Sequence, residues 1–405
     1  MTVLRGPRSA KEAGALKSPV GVPFHSGMKL ETFSFYAGTG WSVPTFPPLD
    51  SSQTLVLAFG GAGFLDDASA LADLARAYPR SKIVGCSSSG EIHGPRIADA
   101  SLSVAVVKFE KANLRIAEAP VTRGASSVEP GEALAGALAA PDLRAIFVLS
   151  DGLSVNGTEL LQGIHRTVSP SVVVTGGLAG DGSRFKQTWV LVGGKPTPGW
   201  VVGVGLYGDS VGVSHGSRGG WDAFGPERVV TRSVGNVLHE LDGEPALALY
   251  KTYLGERAAG LPATALLFPL ALRSTSDATD TVVRTILSVD EANQTMTFAG
   301  DVPQESIVQL MRANFDRLVD GASQASHAAN QDSTGDTLSI AISCVGRRLV
   351  LGERVEEEVE AAFEAVPEGG KLVGFYSYGE ISPLAPGQCG VLHNQTMTLT
   401  RLWER

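Results

Sequence analysis

The phrase Gly85-Cys86-Ser87-Ser88-Ser89-Gly90-Glu91-Ile92 returns near the other end of the chain as Gly374-Phe375-Tyr376-Ser377-Tyr378-Gly379-Glu380-Ile381. In each copy a short apolar run breaks into a turn of small residues, and a carboxylate follows its last glycine. The likeness extends to the flanks. Strand-like runs precede both copies, Thr54 to Phe59 and Leu338 to Cys344, each followed by a helical pattern, Asp66 to Tyr78 and Arg354 to Val366. Another strand-like run follows each copy, Ser101 to Phe109 and Gln395 to Leu402. Strand, helix, strand, glycine-carboxylate turn and strand therefore form a unit, and a chain built from repeated units is constrained to pack them side by side.

A third copy lies between. Arg144 to Leu149 is β-branched and apolar over a strand's length, and the stretch from Thr158 to Thr167 places Leu160, Leu161 and Ile164 on one helical face. Val172 to Gly177 then leads through Gly180 to Asp181, an aspartate in the place of the glutamates. Strands are expected at Thr188 to Val192 and Gly199 to Tyr207. The stretch from Ala263 to Val319 reads as a fourth, rearranged unit, with strands at 266–272, 282–289 and 295–298 and a long helix from Gln304 to Val319.

At 405 residues the chain exceeds what one hydrophobic core usually supports, so two domains are expected. An apolar share of 43% with 19% charged residues is that of a soluble globular protein. The 48 glycines exceed the usual share and gather at strand ends, where turns need close backbone approach. A net charge of −9 with no basic stripe argues against nucleic acid as a partner. Three scattered cysteines, Cys86, Cys344 and Cys389, suit a reducing cytoplasm and argue against a disulfide framework. The first residues lack a continuous apolar segment, and residues 1–29 are read as a disordered tail rather than a secretory signal. The apolar run from Leu261 to Leu272 is too short to span a bilayer and holds Pro262 and Pro269, so no membrane association is expected.

The fold class is α/β: two halves built from these units, with mixed or largely antiparallel sheets flanked by helices. The halves are placed at residues 30–236 and 237–405. The Gly-rich passage from Gly216 to Gly225 and the extended run from Glu227 to Ser233 lie at the crossover between them.

Several phrases together resemble the FIST (F-box and intracellular signal transduction) sensory family. For its N-terminal domain they are residues 85–92, Leu149-Ser150-Asp151-Gly152, Gly176 to Asp181 and the Leu241-Asp242-Gly243 turn. For its C-terminal domain they are Asn293 to Pro303, Ser343 to Arg347, Gly374 to Pro383 and His393 to Met397. The resemblance spans roughly residues 50 to 402, in the expected order. It implies a bacterial-type cytoplasmic sensor that binds a small polar, amino-acid-like ligand. Some relatives are haem proteins that sense nitric oxide and act on a histidine kinase or a cyclic-di-GMP enzyme. No kinase, GGDEF or receiver segment is visible here, so a separate signalling partner is expected.

The residues themselves offer a pocket at the turns. Glu91, Asp181 and Glu380 are placed to hold an ammonium or hydroxyl, with Cys86, Ser87, Ser88, Tyr376 and Ser377 beside them. The competing reading is that each carboxylate caps the N–H groups of its own turn, as acidic residues often do. His393 and Asn394 should reach the Glu380 turn through a hairpin. Arg273 and Arg347, read as strand-end arginines, would capture a ligand carboxylate or pair with a turn acid. A haem would need an axial ligand, for which His93, His215, His239 and His393 are the candidates, although no sequence pattern specifies it. No cofactor is expected. Cys389 and His393 form at most half of a zinc site. Gly212-Val213-Ser214-His215-Gly216 matches the nucleophile-elbow spelling but no helix follows it, and no other catalytic constellation is visible, so a non-enzymatic protein is expected. An enzyme built on the Glu91 and Glu380 turns is the third alternative.

Overall fold

The computed structural model describes residues 27–274, 281–330 and 336–405. Its body is a closed ring of three equivalent units. The first unit contains strands Met28–Tyr36, Thr54–Gly61, Lys82–Ser88 and Ser101–Phe109. The second contains Asn113–Pro120, Leu143–Ser150, Val173–Leu178 and Trp200–Tyr207, and the third Val211–Arg218, Leu338–Cys344, Lys371–Ser377 and Met397–Glu404. In every unit the second and third strands run parallel, joined by a helical crossover, and the remaining neighbours are antiparallel. The mixed α/β class read from the pattern is the class observed.

Each unit also extends an arm, a short hairpin between its third and last strands. The arm Glu91–His93 with Arg96–Ala98 leaves the first unit and pairs with Lys371–Ser377 of the third. The arm Gly379–Pro383 with Gly390–His393 leaves the third and pairs with Val173–Leu178 of the second. Val190–Val192 with Lys195–Thr197 leaves the second and pairs with Lys82–Ser88 of the first. Each unit thus gives one arm and receives another. Where the three turns meet, backbone hydrogen bonds run round the ring: Ser89 N to Tyr376 O (2.8 Å), Tyr378 N to Leu178 O (3.1 Å) and Gly180 N to Ser87 O (3.0 Å).

The recurring first glycine of the phrase has a steric cause. A Cβ at Gly85 would lie 1.9 Å from Ala58 O, one at Gly176 1.9 Å from Val148 O and one at Gly374 1.8 Å from Ala341 O. In all three units the parallel neighbour leaves no room for a side chain there.

Alternation along the strands gives each sheet two apolar faces. Leu55, Leu57 and Phe59 point to the centre, where they meet Phe147, Leu149, Ile340, Ile342 and Phe375 from the other units. Phe59 stacks on Phe375 at 4.7 Å between centroids. Val56 and Ala58 face outward onto helix Ser69–Ala77 through Leu71 and Leu74. The second sheet is covered by helices Val128–Leu138 and Gly157–Thr167, and the third by Phe315–Ala328 and Val355–Glu364. Glu404 ties the last strand to the junction of the first two units, accepting the N–H groups of Glu110, Lys111 and Ala112 at 2.7 Å each.

A lobe is inserted between the first two strands of the third unit. Its sheet includes Trp221–Val234, Val237–Leu241, Leu270–Arg273, Thr295–Phe298 and Ile307–Ala313, and helix Ala246–Leu254 packs into its own core. The split expected after residue 236 falls inside this lobe, between two strands of one hairpin. The first strand of the body begins at Met28, within the segment expected to be a disordered tail, and residues 1–26 of that tail lie outside the described residues.

One expected helix and one expected strand end are corrected. Gln304 to Val319 is not one helix: Ile307–Ala313 is a strand whose Val308 and Leu310 alternate into the lobe core, and the helix Phe315–Ala328 starts at Asn314, whose side chain caps the Arg317 N–H. The rearranged unit is therefore this lobe. A helix Val345–Leu351 also follows Cys344 directly, ended by Gly352 at φ 56°. Arg347 consequently sits on a helix, not at a strand end.

Candidate functional site

The paired glutamates are held alike. Glu91 Oε2 accepts from Ser101 N (2.9 Å) and Ser101 Oγ (2.8 Å), and Oε1 from Ser88 Oγ. Glu380 Oε2 accepts from Thr396 N (3.2 Å) and Thr396 Oγ1 (2.9 Å), and Oε1 from Ser377 Oγ (2.8 Å). In both units the carboxylate clamps its turn to the start of the last strand, and both side chains are buried. Burial pushes their pKa values up, to about 7 for Glu91 and about 8 for Glu380, against the opposing hydroxyl and N–H donors.

A pH dependence follows. Because both folded values exceed the ordinary 4.5, the native state holds the extra protons between about pH 4.5 and 8, and stability falls as pH rises through that window. His393, lowered to about 4 by burial, gives an opposite slope below its ordinary 6.5, so the net fall is expected mainly between pH 6.5 and 8. At about 1.4 kcal/mol per pKa unit the effect is on the order of a few kcal/mol. Urea midpoints should drop from pH 6.5 to 8.5 in the wild type and stay nearly level in the Glu91→Gln/Glu380→Gln double variant.

Asp181 is the third equivalent position, wired differently. It accepts the N–H groups of Phe185 (2.8 Å), Lys186 (2.9 Å) and Gln187 (2.9 Å), and the Tyr378 hydroxyl from the next unit. Burial raises its pKa, but these donors together outweigh burial and hold it below the ordinary range. Its loop carries Phe185, which stacks on Tyr378 with centroids 4.5 Å apart.

Most of the other sequence candidates are also engaged within the protein. Cys86 is buried in the central core, and Ser87 Oγ accepts from Trp189 N (3.1 Å). Arg347 is fully buried: it binds Glu358 Oε1 (2.6 Å) and Leu318 O (2.8 Å), while Tyr376 OH donates to Glu358 Oε2 (3.1 Å). Its acid partner is therefore Glu358 of the outer helix, not a turn glutamate. Arg273 pairs with Glu227. The expected meeting of His393 with the Glu380 turn is observed, the two residues lying opposite each other across the arm, and His393 Nε2 bonds Ser382 O at 2.9 Å. Asn394 is buried beside them, and neither its Nδ2 nor its Oδ1 has a hydrogen-bond partner in the protein. His93 Nδ1 meets Ser103 Oγ at 3.2 Å, and Ser214 and His215 lie within the strand Val211–Arg218. No group of three or more His, Cys, Asp or Glu among the described residues is arranged to hold a metal ion.

None of these twelve proposed ligand contacts lines the large opening in the molecule. That opening is a cavity of about 910 Å³ between the body and the inserted lobe, within the range of small-molecule sites. The body contributes the loop Gly152–Asn156, Leu178, Phe185, Tyr378 and the start of the helix Val345–Leu351. The lobe contributes the Leu261–Ala263 and Leu266 wall, and Thr285, Ile286, Leu287, Phe298 and Ala299. The surface is largely apolar, with Arg123, Asn156, Ser183, Asn236, Thr285 and Tyr378 among its polar residues. Asn156 is occupied: its Oδ1 caps the Gly157–Thr167 helix and its Nδ2 binds Asp301 Oδ1 of the lobe at 2.9 Å. Thr285 is not. Its hydroxyl is buried and has no hydrogen-bond partner in the protein. The helix beginning at Val345, absent from the sequence reading, supplies Val345, Gly346 and Leu349, and Gly352 was the local signal that could have ended it.

The residues around this cavity do not fit a haem. No histidine is among its described lining residues. Cys344 and Tyr378 could meet iron only as anions, and burial pushes both pKa values well up, while the Tyr378 hydroxyl is committed to Asp181.

Family models agree with the phrases on which this architecture is built. The FIST N domain model matches residues 54–244, and the FIST C domain model matches residues 246–383. The chain belongs to the FIST family. FIST domains are sensory domains of signal transduction, and here the two matched regions are interleaved in space, since the arm of residues 379–393 completes a sheet of the FIST N region. A search of curated proteins returned no match. Among the described residues no helix is long and apolar enough to cross a membrane.

Proposed function

We propose that this FIST protein is a non-enzymatic cytoplasmic sensor that binds a small organic ligand in the cavity between body and lobe and reports occupancy to a separate signalling protein. The observation that carries the reading is the largely apolar cavity of about 910 Å³ between body and lobe, with walls supplied by both. The turn carboxylates are satisfied internally, which favours this cavity over the turns. An amino-acid-like ligand remains compatible when its side chain is large and apolar. The three free cysteines support the cytoplasmic setting.

Signalling follows from the two walls. The lobe meets the body through Asn156 with Asp301 and through Arg284 Nη1 with Leu392 O (3.1 Å), so a ligand touching both sides shifts the balance between open and closed lobe positions. A thermal-shift panel of small apolar-bodied molecules checks the site. A ligand at 100 times its Kd should add about 2.7 kcal/mol to the wild type. Val155→Trp and Ala299→Trp, folded by circular dichroism, should lose that shift. Equal shifts in the filled variants would remove the cavity from the account.

A further inference from the structure

The charge of the cavity points beyond its size. Among its described lining residues Arg123 is the only charged side chain; no aspartate or glutamate faces the space. Arg123 makes no ion pair with a described residue, in a chain whose net charge is −9. Placing a single unneutralised cation on the wall of an otherwise apolar opening favours one negative charge on the guest, because a guanidinium donates to a carboxylate through two parallel hydrogen bonds. A cationic guest would meet Arg123 with no counter-charge, and a guest with several negative charges would leave the excess unpaired against leucine and phenylalanine.

The rest of the wall describes the guest's body. Phe185 and Tyr378 stack nearly parallel, at 12° between ring planes, and present a flat aromatic edge beside Leu178 and Leu153. Across the cavity Ile286 and Phe298 of the lobe complete an apolar slot.

We infer that the ligand class is a hydrophobic organic monoacid, an aromatic or aliphatic body bearing one carboxylate, with the carboxylate toward Arg123 and the body between Phe185 and the lobe. This rests on the cavity reading above and names its ligand chemistry.

The test uses matched triads on one body: 4-phenylbutanoate, 4-phenylbutanamide and 4-phenylbutylamine, with the corresponding indol-3-ylacetyl and decyl series, titrated calorimetrically into the full chain at low salt. The acid of at least one triad should bind about three- to tenfold more tightly than its amide, and the amine weakest, the difference shrinking as salt screens the exposed arginine. In Arg123→Glu the order should reverse. An amide equal to its acid in the wild type, or an order unchanged in Arg123→Glu, overturns the acid assignment. Ala299→Trp separates the two levels: loss of all binding there keeps the cavity reading even when the charge order fails, whereas undiminished binding removes both. Absence of binding across all nine compounds overturns the proposal.

Discussion

A fragment ending at residue 236 is expected to show no cooperative unfolding transition. It keeps the first two units but loses what completes them. The second unit's sheet is deprived of the arm Gly379–Pro383, and the first unit's own arm is left without Lys371–Ser377 to pair with. The central core loses Leu338, Ile340, Ile342, Val373, Phe375 and Leu402, which cover Leu57, Phe59 and Phe147. At about 1.5–3 kcal/mol for each large apolar side chain, the loss is on the order of 10 kcal/mol, comparable to the whole stability of a typical domain. Coexpressed fragments 1–236 and 237–405 should instead copurify as a folded heterodimer, because the break falls in the Gly235-Asn236 turn at the lobe surface. Urea denaturation and size-exclusion chromatography read both results. A monomeric 1–236 fragment with a sharp transition would contradict the closed ring of exchanged arms.

Arg347→Met should be the most destabilising single substitution predicted here, by roughly 3–5 kcal/mol. The pair Arg347–Glu358 has neither side chain exposed, and Glu358 also gathers Ser343 Oγ (3.0 Å) and the Tyr376 hydroxyl. Removing the arginine leaves a carboxylate buried without its charge partner and frees Leu318 O at the start of the helix that covers the third sheet. The Arg347→Met/Glu358→Leu double variant should recover part of the loss, since an apolar pair of similar volume can replace a buried ion pair. The exposed pair Arg354–Glu357 is the control, with an expected effect under about 1 kcal/mol. Urea midpoints of the four proteins give the comparison, and an Arg347→Met midpoint matching that of Arg354→Met would contradict the assigned role.

The three-unit construction was legible because its cause is local. The first glycine of each phrase answers to a backbone oxygen of the parallel neighbour, and the alternation of Leu55, Leu57 and Phe59 with Val56 and Ala58 is written along one strand. The exchange of arms was not legible. A strand such as Glu91–His93 carries its side-chain alternation in its sequence, but nothing in that alternation names Lys371–Ser377 as its partner. The same distinction separates the candidate turns from the cavity. The repeated glutamates advertised themselves because they recur, and they recur because the first and third units use the same clamp, to Ser101 and Thr396. The cavity walls come from separated segments, 152–156, 178–185, 261–266, 285–299 and 344–349, with no shared spelling. The strand Ile307–Ala313 was misread as helix because the apolar residues around it also satisfy a helical spacing, and only its pairing with Trp221–Val234 decides.

The most direct test of where this FIST protein binds its ligand is amide hydrogen exchange with and without a saturating apolar monoacid from the triads. Protection is predicted to rise in Gly152–Asn156, Leu261–Leu266 and Thr285–Leu287, with the Ser87–Glu91 and Ser377–Glu380 turns unchanged. Protection gained at those turns with none along the cavity walls would contradict the account.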